Sequence, residues 1–267
     1  GDPDAMVYDY TADQLGFTLD SLTVDGETIT RDMARFDATM GPVAGRSTMK
    51  TAEMLKSSEQ AVSLGNLIIS GAFNDPDSDD AASLSGRMMA LSVTGANDLP
   101  LDVDMTDIAA ATEAGLSGSG VIEHQGAQWE FSGIDEGEAS SGQFSTASGR
   151  VSVDFSGNAL AYETAGTDMA VTMTVPDMPF PISAQMAESS FNMTLPVAAS
   201  DAPQNAAVGL TLRGFTMADM LWNVFDPGAV LPRDPATVSI DLTAMVTPFI
   251  NLLDSDAMEA MGDDVPG

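Results

Sequence analysis

Residues 169–175 read Met-Ala-Val-Thr-Met-Thr-Val, and residues 208–212 read Val-Gly-Leu-Thr-Leu. In both stretches an apolar side chain alternates with a small or hydroxyl side chain. Because successive side chains of a strand point to opposite sides of its sheet, this period of two is typical of antiparallel strands with one solvated face. The same alternation recurs at residues 151–155, 191–195 and 238–242. This pattern, the most regular in the chain, predicts a mainly β protein.

Less regular strand-like stretches fill much of the first half of the chain. They lie at residues 17–24, 27–30, 35–40, 60–73, 84–93, 120–124, 128–132 and 142–147. Asp25-Gly26 is a two-residue hairpin signal, and residues 124–127 and 156–158 have the composition of tight turns. On the order of a dozen strands separated by short turns predict a large meander, sandwich or open barrel.

Helical periodicity is scarce. Residues 104–114 and 216–225 each place apolar side chains on one helical face, the latter after an N-cap threonine. Residues 51–58 and 254–261 are two further helix candidates. The predicted fold is therefore mainly β: a large, twisted antiparallel sheet curled into a half-barrel or sandwich, with two to four short helices. Composition does not shift along the chain, so residues 1–267 are predicted to form a single β-rich domain or a fragment of a longer β-rich protein.

The chain is strongly acidic, with 9 Lys and Arg residues against 40 Asp and Glu residues and a net charge of −31. Such a charge repels phosphate backbones and anionic lipid headgroups, which argues against nucleic-acid binding. An excess of acidic over basic residues keeps a protein soluble in a setting where salt screens the repulsion between its own charges. Such a setting is saline or extracytoplasmic, so we expect a periplasmic or otherwise extracytoplasmic location. No apolar run approaches the roughly 20 residues that span a bilayer, and we expect no transmembrane segment in this chain.

The chemistry-bearing residues form no catalytic motif. No Cys is present and His124 is the only histidine, which excludes thiolate nucleophiles and multi-histidine metal sites. No phosphate-binding loop, dinucleotide fingerprint or nucleophile elbow occurs. His124 has the pKa range of a general base, but its surroundings predict an exposed hairpin tip. Glu136 and Glu138 flank a loop glycine. We therefore predict a non-catalytic protein.

One acidic segment is the best candidate for a metal site. Asp75, Asp77 and Asp79 alternate along the chain, and carboxylates at this spacing can converge on Ca²⁺. The EF-hand pattern fails, because Asp80 stands where glycine belongs and Gly86 stands where glutamate belongs. A solvated acidic turn is the alternative interpretation. Calcium is the one cofactor that the sequence leaves open.

Methionine is abundant, at 18 residues, and many of them fall in strand-like stretches. Its flexible side chain adapts to irregular apolar partners. One interpretation is a groove on the apolar side of the sheet that shields a lipid or another apolar ligand. The alternative is a filled apolar core, in which case the protein is a structural or protein-interaction module with an envelope protein as a possible partner.

A distinctive segment near the end of the chain combines aromatic, proline and charged residues. Its members are Trp222, Phe225, Asp226, Pro227, Pro232, Arg233, Asp234 and Pro235. Supporting stretches lie at residues 10–16, 22–26, 179–181, 186–191 and 195–203. With these motifs the chain resembles, along nearly its whole length, the uncharacterised alphaproteobacterial domain-of-unknown-function 2125 family. The resemblance implies an exported protein with a signal peptide, longer than this chain at both ends, and no established activity, cofactor or catalytic residue.

Considered as structure, the same segment predicts a short helix whose Trp222 and Phe225 pack against the sheet. Arg233, between Pro232 and Asp234, is one of only nine cations in an acidic chain. It is therefore a candidate for an internal ion-pair anchor.

Overall fold

The structure is a computed structural model that describes residues 5–24, 27–52, 55–104, 107–156, 159–231, 233 and 235–248. These residues form fifteen strands and two helices. The strands are β1 Ala5–Ala12, β2 Leu15–Leu19, β3 Ser21–Val24, β4 Glu27–Thr30, β5 Ala34–Thr51, β6 Leu55–Asn74, β7 Ala81–Pro100, β8 Ser117–His124, β9 Ala127–Asp135, β10 Glu138–Thr146, β11 Ser148–Ser156, β12 Ala159–Thr174, β13 Ile182–Pro196, β14 Gln204–Met217 and β15 Ala236–Val246. The helices are α1 Ile108–Glu113 and α2 Asp219–Phe225. The predicted mainly β fold with a large antiparallel sheet and at least two short helices is confirmed.

Thirteen strands form one sheet, and β3 and β4 form a separate hairpin. Every pairing in the large sheet is antiparallel, and three neighbouring pairs of strands share a partner. Strands β1 and β2 both pair with β5, β8 and β9 both pair with β7, and β10 and β11 both pair with β12. Each such pair is one long strand with a break in its middle. The sheet is therefore an up-and-down meander of ten long strands.

The two central breaks create a partial ring of pairings. The ring runs from β7 through β8, β11, β12, β10 and β9 and back to β7. The two halves of β7 pair with β8 and β9, and the two halves of β12 pair with β11 and β10. The ring thus encloses the points at which the two central long strands are interrupted.

The interruptions lie at one level and form a line across the whole sheet, called the bend line below. Its positions are Asp13-Gln14, Gly41-Pro42, Gly65, Ala90, Gln125-Gly126, Ala147, Asp168, Ala187, Gly214 and Thr237. Ala90 and Asp168 have positive φ angles of 45° and 48°. A residue that leaves the ladder bends its strand, as in a β-bulge, so the bend line is a transverse fold in the sheet.

The apolar alternation changes phase at the bend line. In β6 the apolar residues are Val62 and Leu64 before Gly65, and Leu67 and Ile69 after it. One extra residue in each strand keeps both sets on the same side of the sheet.

Helix α1 begins directly after its N-cap residue Asp107, whose carboxylate accepts a hydrogen bond from the Ala110 N–H at 2.9 Å. Helix α2 begins later than the sequence predicts. Thr216 does not cap it, because Thr216 and its successor still pair with β13, Thr216 lying opposite Gln185. Ala218 takes the N-cap position without a side-chain hydrogen bond.

Two other predictions of secondary structure are wrong. The helix predicted at residues 51–58 is not found in its described part, because β5 ends at Thr51, β6 begins at Leu55, and the Ala52 N–H donates to the Leu55 carbonyl at 2.8 Å. Residues 124–127 are not a hairpin turn. The chain continues along β7 there, with β8 and β9 on the two sides of the break.

Other predicted features lie partly outside the described residues. The helix candidate at residues 254–261 is wholly outside them, as are the turn residues Asp25-Gly26 and 157–158. The flanking pairs that those turns require are present, with Val24 opposite Glu27 and Ser156 opposite Ala159.

The described residues contain little buried core. The buried hydrophobic side chains are Val43, Ala111, Ala127 and Val197, and no large side chain among the described residues is fully buried. The filled interior required by the alternative sequence interpretation is therefore not found in this part of the chain. No described helix is long and apolar enough to cross a membrane.

Candidate functional site

One side of the sheet is apolar across all ten long strands. Directly paired residues form a continuous row from one edge to the other: Tyr10, Gly45, Val62, Val93, Ile122, Val151, Thr164, Phe191, Leu210 and Ile240. Because opposite residues in a ladder share a face, this row lies on one side of the sheet. We call this side the apolar face and the row its central row.

The apolar face is open to solvent over much of its area. Tyr10, Ile122, Val151 and Ile240 of the central row are exposed, and Leu242 on the same face is 64% exposed. Helix α2 has no buried residue. Within the described part of the chain, the apolar face thus lacks a covering layer of secondary structure.

Aromatic rings lie across glycines on this face. Tyr10 occupies the space that a Cβ of Gly45 would need, and Trp129 does the same over Gly86. In each case the ring and the glycine are direct cross-strand partners. Glycine has no side chain to push the ring away from the backbone, so the rings lie flat and the face stays smooth. The glycines were not recognised as a pattern in the sequence.

A shallow cavity of about 420 Å³ lies on the apolar face where glycines are not covered. Gly95 and Gly120 are direct partners in its floor, and neither has a side chain atom near the position of a Cβ. Gln60 lines the cavity on one side, and Val153 and Phe155 line it on the other. The cavity therefore combines neutral polar and apolar walls.

The opposite side of the sheet is polar and is cross-linked by charge pairs. Arg46 Nε donates to Asp9 Oδ1 at 2.6 Å across β1 and β5, and this hydrogen bond lowers the pKa of Asp9. Arg150 pairs with Glu123 across β11 and β8. Arg213 Nη1 lies 3.1 Å from Glu188 Oε2 across β14 and β13.

A further charge cluster ties the β3–β4 hairpin to the sheet. Arg31 Nη2 donates to both carboxylate oxygens of Asp37 at 2.7 and 2.8 Å. This hydrogen bond lowers the pKa of Asp37 and raises the pKa of Arg31. Most of the scarce cations are thus placed opposite an acid on a neighbouring element, which fixes strand register. These pairs are not visible in the sequence, because the partners are distant along the chain.

His124 lies at the bend line and not at an exposed hairpin tip. Its imidazole covers Gly149, and the Gly126 N–H donates to its Nδ1 at 3.3 Å. Partial burial lowers the pKa of His124, because the charged form loses solvation. These contacts leave the His124 side chain partly buried, so the prediction that it is exposed is wrong. Glu136 lies in the β9–β10 turn, where its N–H donates to Asp80 Oδ1 at 2.9 Å, and Glu138 is the first residue of β10, opposite Asp135.

The predicted calcium ligands lie in the turn between β6 and β7. Asp75 Oδ1 accepts a hydrogen bond from the Asp77 N–H at 2.8 Å, and Asp75 N–H donates to the Asp80 carbonyl at 2.9 Å. These bonds within the turn are typical of an aspartate-initiated turn. The structure brings no group of three or more metal-ligating side chains together among the residues it describes, so Asp75, Asp77 and Asp79 do not converge there.

The distinctive segment begins within α2, and its described residues continue into the loop after the helix. Asp226 is buried, and its carboxylate oxygens accept hydrogen bonds from the N–H groups of Val230 and Leu231 at 3.1 and 2.8 Å. Trp222 is half-buried, whereas Phe225 is 69% exposed. The prediction that Phe225 packs against the sheet is therefore wrong.

Arg233 holds the loop against the helix. Its Nη2 donates to Asn223 Oδ1 at 2.6 Å, and its Nη1 donates to the Asp219 carbonyl at 3.2 Å and lies 3.8 Å from the Asp219 carboxylate. Arg233 therefore pairs with Asp219 of α2, but the Asp219 side chain is 85% exposed, so the ion pair lies at the surface and the prediction of an internal anchor is wrong. Pro232 and Asp234 lie outside the described residues.

Comparisons with family models, with curated proteins and with solved structures found no match to this chain. The resemblance to the family named above therefore stays a sequence-based expectation.

Proposed function

We propose that this protein is a non-catalytic envelope protein that binds the acyl chains of a lipid, or a similar apolar ligand, on the apolar face. The observation that carries the proposal is the central row, which runs across ten strands and is open to solvent at Tyr10, Ile122 and Ile240. A sheet with one apolar side needs a covering layer, and a bound ligand supplies one.

The exposure of the apolar face supports this proposal, since Tyr10, Ile122, Val151, Ile240 and Leu242 are all exposed. Water-soluble monomers rarely expose a contiguous apolar patch above a few hundred Å², and larger patches mark binding surfaces. Covering the apolar face is thus strongly favourable in water.

The chemistry of the face suits acyl chains. Its side chains are mainly aliphatic, aromatic and thioether groups, including Met88, Met169, Met173, Met186 and Met193. Methionine adapts to ligands of irregular shape. The rings that lie flat over glycines leave a smooth surface along which methylene groups can pack. Charged side chains are concentrated on the opposite side of the sheet, where the cross-strand ion pairs lie.

An extracytoplasmic location forms part of the proposal. The net charge of −31 and the resemblance noted in the sequence support it.

Native mass spectrometry of the gently purified protein tests the proposal, together with titration of a fluorescent fatty acid. Two double variants are matched in charge and in strand position. Ile240→Asp with Leu242→Asp places two carboxylates on the apolar face, and Ser239→Asp with Thr243→Asp places two on the polar side of the same strand. We expect the first pair to weaken fatty-acid binding at least about tenfold and the second pair to leave it within about twofold.

The outcomes separate the candidate functions. Co-purified lipid and selective loss in the apolar-face variant support ligand binding. Equal affinity of both variants, or a lipid-free monomer that fails to bind the fatty acid, overturns it. A lipid-free dimer would show that a second copy covers the face and would favour the interaction-module alternative.

A further inference from the structure

The last strand of the large sheet leaves one of its edges unpaired. β15 pairs with β14 on one side, and no other described strand pairs with it. Residues 237–245 are all exposed, and Asp241 is the only charged residue of the strand. Natural sheets commonly protect such an edge with lysine or proline, and β15 contains neither. The free N–H and C=O groups along the edge fit one kind of partner, which is another extended strand.

The sequence of β15 indicates which strand that is. Residues 236–244 read Ala-Thr-Val-Ser-Ile-Asp-Leu-Thr-Ala, which is nearly the same in both directions about Ile240. Two copies of this strand can therefore pair antiparallel about a two-fold axis at Ile240. Each residue then faces one of matching size or hydrogen-bonding type, in the pairs Ala236–Ala244, Thr237–Thr243, Val238–Leu242 and Ser239–Asp241. Cross-strand pairs of aliphatic residues and of threonines stabilise antiparallel sheets.

The one charge of β15 selects this register. The direct partner of Asp241 on β14 is Gly209, which offers no side chain. Among the described residues, the Asp241 carboxylate accepts a hydrogen bond only from its neighbour Ser239, at 3.3 Å. Pairing about Ile240 places each Asp241 opposite the Ser239 hydroxyl of the second copy. Pairing about Asp241 itself would place two carboxylates opposite each other, which is unfavourable.

The opposite edge of the sheet, β1, does not offer an equivalent pairing. Its sequence is also nearly symmetric, with Tyr8 and Tyr10 on either side of Asp9, but two copies paired about that centre would place two carboxylates opposite each other. Pairing β1 with β15 of a second copy so that the central row continues would set Tyr10 beside Ile240. Asp9 would then face Asp241, which again opposes two carboxylates. β15 with itself is therefore the pairing that avoids this repulsion.

The same pairing removes apolar surface from water. Val238, Ile240 and Leu242 are exposed and lie on the apolar face. A two-fold axis perpendicular to the sheet keeps the apolar faces of both copies on one side. The three side chains of one copy then pack against those of the other, which is favourable in water.

We propose that two copies of this chain form a symmetric dimer by antiparallel pairing of β15 about Ile240, so that the two sheets become one. This goes beyond the proposed function, since a ligand on the apolar face requires no second copy. Each copy carries a net charge of −31, so the copies repel each other at low salt. We therefore expect NaCl at about 0.5 M to strengthen the dimer relative to about 0.05 M, because salt screens this repulsion.

Sedimentation velocity over a range of protein concentrations, with three variants, tests the proposal. Ser239→Asp places a carboxylate opposite Asp241 of the second copy and should weaken the dimer at least about tenfold, since two such contacts form. Thr243→Asp adds the same charge on the same side of the strand but opposite a threonine, and should leave the dimer within about threefold of the wild type. Adding Asp241→Lys to Ser239→Asp sets opposite charges across the axis and should restore the dimer. Circular dichroism checks that all variants keep their strands.

A distance measurement identifies the interface directly. The chain contains no cysteine, so a single Thr243→Cys carries one spin label. In the dimer the two labelled positions lie six residues apart along the paired strands, or about 20 Å at roughly 3.4 Å per residue. Double electron–electron resonance should detect this separation, and a label at Thr11→Cys on β1 should not give it. A dimer in which one copy covers the apolar face of the other is not expected to show this pattern.

Several results would overturn the proposal. They are a monomeric wild type at about 100 µM in high salt, equal effects of Ser239→Asp and Thr243→Asp, failure of Asp241→Lys to restore the dimer, and absence of the separation near 20 Å. Fatty-acid binding by the monomeric Ser239→Asp variant is measured in parallel. It should be unchanged, because the edge dimer leaves the apolar face open, so the ligand proposal and the dimer proposal can fail independently.

Discussion

The indole ring of Trp129 lies across Gly86, its direct partner on the neighbouring strand, and fills the space that a Cβ there would need. Tyr10 has the same relation to Gly45, and Phe131 to Gly142. In a sheet with little buried core, a ring packed on the backbone is one of the few ways to remove apolar surface from water. The glycine and the ring therefore act as a unit, and a change at either one is felt by the other.

Substituting Gly86 should be more harmful than substituting a glycine that nothing covers. In Gly86→Ala the new methyl group meets the indole, and the ring must leave the sheet. We expect a loss of about 1–3 kcal/mol in the free energy of unfolding, measured by urea titration, with a change in tryptophan fluorescence. Gly16→Ala is the matched control, because no atom lies within 4 Å of a Cβ at Gly16. Equal stability of the two variants would contradict the packing of Trp129 on Gly86.

The bend line predicts an unusual stabilisation by glycine. Ala90 has a φ of 45°, a conformation that is unfavourable for residues with a Cβ and accessible to glycine. We expect Ala90→Gly to raise the free energy of unfolding by about 0.5–1 kcal/mol. In the regular part of the same strand, Ala96→Gly should lower it by a similar amount, because glycine there only adds freedom to the unfolded chain. If both variants were destabilised alike, the break at Ala90 would not be a left-handed position.

The sequence was sufficient to predict the main elements of the fold. Val171 and Met173 alternate with threonines, and Leu210 and Leu212 flank Thr211, as expected for strands that are solvated on one side. Propensity and periodicity act within a few residues, and for that reason they locate strands well. They do not reveal which strands pair. The charge pairs of the polar side and the rings that lie over glycines therefore could not be predicted from the sequence alone.

The bend line was missed, although the sequence contains its signal. In β6 the apolar positions move from even to odd numbers between Leu64 and Leu67, and a single extra residue in a strand causes such a change of phase. A similar irregularity at Gln125-Gly126 predicts a hairpin from sequence alone, because glycine after a polar residue is common in turns. The structure shows a bend and not a turn, because β8 and β9, the segments on either side of Gln125-Gly126, both pair with β7. This pairing is a tertiary property that local sequence does not reveal.

Salt should stabilise this protein. Forty acidic residues against nine cations leave strong repulsion within the folded chain, and most cations already pair with an acid, as Arg213 does with Glu188. Raising NaCl from about 0.05 to about 0.5 M shortens the screening length from roughly 14 to roughly 4 Å, which weakens the repulsion more than it weakens close pairs. We expect Tm to rise by a few degrees, measured by circular dichroism. KCl should act equally, since the effect depends on ionic strength. A falling Tm would mean that the cross-strand ion pairs dominate.

Stability between pH 7 and pH 5 should depend on His124, the only histidine of the chain. Partial burial lowers its pKa in the folded protein below the ordinary value of about 6.5, so the unfolded chain takes up the proton first. The contribution of neutral His124 is therefore complete above the unfolded pKa, and it is lost as the pH falls through the lower, folded pKa. The urea midpoint should fall between pH 7 and pH 5.

His124→Gln keeps a polar side chain that can cover Gly149 but does not titrate, and it should flatten this pH dependence. The lowered pKa values of Asp9 and Asp37 have the same sign, but their effect appears at more acidic pH, because aspartate ordinarily titrates near pH 4. Arg46→Gln, which removes the partner of Asp9, is a suitable control and should leave the slope between pH 7 and pH 5 unchanged. A slope that persists in His124→Gln would show that carboxylates, and not the imidazole at the bend line, control stability in this range.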